Sequence, residues 1–147
     1  MKRNVRGFTL VEILIVVIIL GILAAIVIPQ FTNASNDARQ NSIASTLQTL
    51  RGQIELYKIQ HSDTPPLAAS MWVNMVNASN TTGATNATAN TTYPLGPYLQ
   101  AAPVNPANGQ SAIGAAAGTA VGWVYTQAGS AYTVWAVDTT GTGTLTY

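Results

Sequence analysis

Gly7-Phe8-Thr9-Leu10-Val11-Glu12, followed directly by the uncharged run Ile13 to Ile28, decides the fold. From Phe8 to Ile28 the 21 residues hold a single ionisable side chain, Glu12. As a helix rising ~1.5 Å per residue, such a stretch measures roughly 32 Å, enough to cross the ~30 Å hydrocarbon core of a bilayer. A carboxylate inside it is the anomaly. Insertion scales put a charged side chain at the centre of a membrane helix at about 2.5–3.5 kcal/mol, and lower toward the helix end. Glu12 has two readings. In the first, it sits near the cytoplasmic interface and flexes to the headgroups. In the second, it is neutralised by a charge that only processing creates. A cut between Gly7 and Phe8 would leave a free α-amine on Phe8 and make Glu12 the fifth residue of the new chain. That amine could serve its own Glu12 or that of a neighbouring subunit.

The segment ahead of the run is Met-Lys-Arg-Asn-Val-Arg-Gly, with positive charges at Lys2, Arg3 and Arg6. By the positive-inside rule these hold the leader on the cytoplasmic side. An ordinary secretory signal fits the basic start but not the rest of the stretch. The apolar run exceeds the ~7–15 residues of a usual signal core, and no A-x-A site comes after it. Basic leader, Gly7-Phe8-Thr9-Leu10-Val11-Glu12 and Ile/Val/Leu run together resemble the processing signal of type IV pilins and type II secretion pseudopilins. The close match covers Met1 to about Pro29.

The resemblance implies that a prepilin peptidase cuts after Gly7 and N-methylates Phe8, and that Glu12 is the assembly glutamate. It implies an α+β, pilin-like fold: a long N-terminal helix, half membrane-spanning and half amphipathic, packed on a small C-terminal antiparallel sheet. The expected function is that of a structural subunit of a type IV pilus or type II secretion pseudopilus, not an enzyme. The expected partners are the peptidase, other pilin or pseudopilin subunits, an inner-membrane assembly platform and lipid. The precursor is expected to cross the inner membrane once with its N-terminus cytoplasmic, and the assembled filament to be periplasmic or on the cell surface.

Composition fits this reading. Of 147 residues 48% are hydrophobic and only 7% charged, against about 25% charged in an ordinary soluble domain. Beyond Gly7 the side chains count three basic residues (Arg39, Arg51, Lys58) against five acidic ones. No cationic patch remains, so direct nucleic-acid binding is not expected. The chain has no cysteine, which excludes disulfides and thiolate metal sites.

The layout expected is a leader at 1–7, a membrane and assembly helix at 8–28, and a domain at 29–147. Pro29 lacks a backbone donor, so a bend in the helix is expected there rather than a stop. Within the domain, residues 30–62 read as an amphipathic helix. Ile43, Leu47, Leu50, Ile54 and Tyr57 recur at spacings that form one stripe, the core face. The helix must end by Asp63, because Thr64-Pro65-Pro66 cannot continue it.

Residues 63–120 are expected to be loop-rich. They hold a short helix at 67–77 with a Met/Trp core stripe, then an Asn/Thr/Ala tract from Asn77 to Thr92 read as a loop or mobile excursion. N-x-S/T sequons at Asn77, Asn80, Asn86 and Asn90 are of the kind such a tract produces by chance. Prolines on both sides of Tyr98 enforce an extended passage, and Asn108-Gly109 is a turn signal. The clearest hairpin spans 121–137, with Val121–Thr126 and Ala131–Val137 as strands and residues 127–130 between them. Thr144 to Tyr147 is expected to add a short third strand.

Chemistry-bearing residues are few. His61, the sole histidine, is expected to be solvated at a helix end. A Ser/His/Asp arrangement using His61 and Asp63 stays open, although no serine lies in a nucleophile elbow. No nucleotide-binding glycine motif occurs. Resembling major pseudopilins often hold calcium in a C-terminal loop. Here that half carries one acid, Asp138, while calcium takes six to eight oxygens. Calcium is thus weakly supported and no cofactor is expected. A membrane-anchored, monomeric periplasmic binding module is the alternative function.

Overall fold

The computed structural model describes residues 7–145, which form two compact units, one ending at Ala38 and one beginning at Arg39. The leader charges Lys2, Arg3 and Arg6, and the last two residues of the expected third strand, lie outside the described residues.

Helix α1 spans Leu10–Gln60 and runs without interruption through Pro29. In its first unit every apolar side chain from Leu10 to Ile28 is exposed. The helix is long and apolar enough to cross a membrane. A helix that is hydrophobic all round requires a non-aqueous environment, either lipid or other helices.

In the second unit, Ile43, Leu47, Leu50, Ile54 and Tyr57 of α1 are buried, as their spacing predicts. They pack with Met71, Met75, Trp123, Tyr125, Val134 and Ala136 in one core. The chain leaves α1 through Ser62 and Asp63, both at positive φ (55° and 61°). The Asp63 amide donates back to the Lys58 carbonyl at 2.9 Å, closing the last turn as a left-handed C-terminal cap does. After a 3₁₀ turn at Ala68–Ser70, helix α2 covers Met71–Val76, with both of its methionines in the core.

The Asn/Thr tract differs from the expected excursion. Strands β1 (Ala78–Ser79) and β2 (Thr85–Asn86) pair antiparallel across it, and Ala78 and Ser79 are buried. The physical reason is that asparagine side chains replace the missing apolar anchors. Asn80 Oδ1 accepts from the Thr82 and Ala84 amides, Asn86 Oδ1 from the Thr88 amide, and Asn90 Oδ1 from the Thr92 amide. Each is an Asx turn, so three of the four sequons serve as local turn closures. The proline-rich passage docks through its backbone. Ser79 and Leu95 exchange both amide bonds, and the Tyr98 and Leu99 amides donate to the Met75 carbonyl.

The main sheet has the order β3 (Ile113–Gly114), β4 (Trp123–Ala128), β5 (Ala131–Val137), β6 (Thr144–Leu145). Strands β4, β5 and β6 are antiparallel, whereas β3 pairs parallel to β4. The fold is therefore the expected α+β, pilin-like one, with a parallel edge contributed by an Ala/Gly-rich stretch that has no strand periodicity. The hairpin loop is shorter than expected, because Ala128 pairs with Ala131. Only Gly129 and Ser130 turn the chain, with Gly129 at positive φ (62°), as a type II′ turn needs. Register places Trp123, Tyr125, Val134 and Ala136 on the face that meets α1. Irregular segments are tied to this core by aromatic donors: Trp123 Nε1 to the Pro103 carbonyl, Trp72 Nε1 to Ser111 and Tyr125 Oη to Pro66, at 2.8–2.9 Å.

Candidate functional site: the Gly7–Glu12 helix start

Of the residues singled out by sequence, Gly7, Phe8 and Glu12 lie at the start of α1, and Pro29 lies within the helix. Gly7, Phe8 and Thr9 are non-helical and Leu10 opens the helix. Phe8 is 82% exposed, so the Gly7–Phe8 peptide lies in uncovered, non-helical backbone immediately ahead of the helix.

Glu12 is not left without a partner in the uncut chain. Its Oε2 accepts from the Thr9 amide and from Thr9 Oγ1, both at 2.9 Å. The Glu12 amide in turn donates to Thr9 Oγ1 at 3.2 Å. This is a reciprocal capping box, which satisfies helix-start donors that would otherwise be orphaned. The role of Thr9 was missed from sequence, although the signal is there: Thr9-Leu10-Val11-Glu12 is the T-x-x-E pattern before an apolar run. Among the described residues Glu12 Oε1 accepts no hydrogen bond. The carboxylate is thus held close in sequence to the point where a new α-amine would form at Phe8, with one oxygen open to it.

The residues weighed for hydrolysis do not form a triad. His61 is 3% exposed rather than solvated. Its ring stacks on Tyr57 with centroids 3.7 Å apart. Nδ1 lies 2.8 Å from the Tyr57 carbonyl, which can only accept, so Nδ1 carries the proton and Nε2 accepts from Ser79 Oγ at 3.1 Å. Asp63 instead faces Lys58 Nζ at 3.5 Å, and Ser79 is fully buried. The contact is a clamp between the end of α1 and β1. Sequence did not reveal it, because Tyr57 and His61 are one turn apart but Ser79 is distant in the chain.

A shallow groove between α1 and β5 is lined by Arg51, Glu55, Lys58, Tyr132 and Trp135. Its aromatic faces are already covered by cations. The Arg51 guanidinium sits 5.6 Å from the Trp135 ring centroid, and Lys58 Nζ 5.7 Å from that of Tyr132. Burial pushes the Tyr132 phenol up to about 12, so it stays neutral as a donor to the Arg51 carbonyl at 3.3 Å.

The C-terminal loop does not fit calcium. Asp138 is its one acid, and Oδ1 is occupied by the Thr140 amide, Thr140 Oγ1 and the Thr142 amide at 2.9–3.1 Å. No cluster of three or more metal-ligating acids or histidines occurs among the described residues.

Comparison with known proteins agrees with the helix start. Residues 2–28 match the family model described as the prokaryotic N-terminal methylation motif. The chain is 33% identical over 106 residues to the type II secretion system core protein G of Klebsiella pneumoniae, covering 72% of this chain and 71% of that one. It is 38% identical over 65 residues to the protein of the same name from Dickeya chrysanthemi, over 44% of this chain and 42% of the relative. To the type IV narrow pilus major component PilA5 of Thermus thermophilus it is 35% identical over 60 residues, 41% of this chain and 52% of the relative. Apart from the Klebsiella pneumoniae protein, it therefore spans only about half or less of these relatives. No solved structure matches. With the N-terminal methylation motif matched, a long helix whose residues from Ile43 to Tyr57 pack on a small sheet, and a relative matched over most of both chains, the protein belongs to the type IV pilin and type II secretion pseudopilin family.

Proposed function

We propose that the chain is a structural subunit of a type IV pilus-like or type II secretion pseudopilus filament. A prepilin peptidase would cut after Gly7, and the subunit would assemble through its N-terminal helix at an inner-membrane platform. The observation that carries this reading is the pairing of an all-round apolar, fully exposed helix with Glu12 held at its first turn. In the precursor the three positive charges of the leader stay cytoplasmic and the helix lies in lipid. On cleavage the Phe8 amine gains a charge beside Glu12 and supplies a donor to Oε1, in the same subunit or in the neighbour's. Leaving lipid for like helices then exchanges one apolar contact for another, so register falls to the charged pair.

Pro29 is read as the bend of the helix. It removes the amide that Ala25 would accept. One turn on, Thr32 Oγ1 donates to the Ile28 carbonyl at 3.3 Å, a back-bond that itself bends helices. The subunit carries no catalytic step of its own, so energy for assembly comes from partner proteins.

The test is the intact mass of the protein recovered from cell membranes, with N-terminal fragmentation. A chain beginning at Phe8, with or without one methyl group, is the expected result. A chain still beginning at Met1, or one beginning beyond Ile28, would overturn the reading.

A further inference from the structure

We propose that the C-terminal loops of this subunit are locked by side-chain amides and a carboxylate in place of a bound cation, so that its folded domain is indifferent to calcium. The ground is the occupancy of the oxygens that a cation would need. Asn105, fully buried in the 99–112 passage, places Nδ2 between two carbonyls, Gly122 at the entry to β4 and Val137 at the exit of β5, at 2.7 Å each. The Gly122 carbonyl also accepts the Val137 amide at 3.0 Å, which fills its second lone pair. Beside it Asn108 Nδ2 donates to the Val121 carbonyl at 2.9 Å. In the 138–143 turn, the Gly143 carbonyl takes the Asp138 amide and the Asp138 carbonyl takes the Gly141 amide. Asp138 Oδ1 takes three donors, from Thr140 and Thr142.

Every one of these oxygens faces an N–H or O–H. Calcium needs six to eight oxygens with their lone pairs turned inward, and here they are turned onto protons. Asn105 does the converging that a cation would do. Two strand-end carbonyls aimed at one point repel each other unless a donor stands between them. An amide with two protons supplies that without a counter-charge. The amide is itself positioned, since Asn105 Oδ1 accepts the Ala107 amide at 2.8 Å and its backbone pairs with Gln110 and Gly109. The inference concerns the folded domain alone and stands whether or not the subunit assembles.

The experiment is thermal unfolding of the full chain in detergent, followed by near-UV circular dichroism, in 1 mM calcium chloride and in excess EDTA. The expected result is a Tm that agrees between the two within about 1 °C. A native site with Kd near 1 µM would raise Tm at 1 mM calcium by on the order of 15 °C, and a rise of even a third of that overturns the proposal. A second arm uses Asn105→Asp, which puts acceptor oxygens where the two carbonyls expect protons. It is expected to melt well below the parent in EDTA. An unchanged Tm would show that the amide does not hold these carbonyls, and would overturn the proposal equally.

Discussion

Replacing His61 by Phe isolates what the buried imidazole contributes beyond its shape. The phenyl ring keeps the stack on Tyr57, at 3.7 Å and 6° between planes in the parent, and adds only about a methylene or slightly more in volume. It removes two polar contacts at once: the donor to the Tyr57 carbonyl and the acceptor for Ser79 Oγ. An orphaned buried polar group costs about 1–3 kcal/mol. The Tyr57 carbonyl lies in the last turn of α1 in a residue only 2% exposed, and Ser79 is wholly buried, so the two groups take comparable shares. The sum is about 2–4 kcal/mol, or roughly a 10–20 °C fall in Tm for a unit of this size. The assay is thermal and urea unfolding of the detergent-solubilised chain, read by near-UV circular dichroism. The double variant His61→Phe/Ser79→Ala removes the orphaned hydroxyl and is expected to recover about half of the loss, because deleting both partners of a buried bond is nearly neutral. A single variant within about 0.5 kcal/mol of the parent, or a second substitution that adds to the damage, would refute the clamp.

Three further outcomes are expected. Gly122→Ala should destabilise the domain severely, since a Cβ there would collide with the Gln110 carbonyl group; a Tm loss under about 3 °C would contradict this packing. The hydrogen bonds from Thr140 and from the loop amides hold the Asp138 carboxyl below its usual value of 3.8. Its contribution is therefore present above that value and lost as pH falls below it, so Asp138→Asn should flatten the acid limb of a stability-against-pH curve below about pH 4, and an unaltered limb would argue against it. Glu12→Ala should abolish filaments seen by electron microscopy while leaving the Tm of the folded domain unchanged. Normal filaments would show that assembly does not need the Glu12 carboxylate and would refute its assigned role.

Much of this was legible in the chain. The helix start, the apolar run and the stripe from Ile43 to Tyr57 are local patterns, and local patterns survive folding. The hairpin was legible for the same reason, although its loop proved two residues long because strand pairing extended up to Gly129. What the chain does not display locally is non-local pairing or contacts carried by single polar atoms. Strand β3 lies in an Ala/Gly stretch whose pairing is decided by Trp123 and Val124 across from it. His61 was read as solvated because its burying partners, Ser79 and Tyr98, arrive from later segments. The capping box at Thr9 is an exception, since Thr9-Leu10-Val11-Glu12 carries its pattern locally.

The Asx turns of the 77–92 tract have a consequence for crowding. The polarity of that surface is carried by amides and hydroxyls, and no residue from Leu67 to Thr92 bears a charge. A coat of neutral dipoles has almost nothing for dissolved ions to screen. Copies of such a surface can lie side by side at high local density without mutual repulsion, and their contacts should hold as well in dilute medium as in brine.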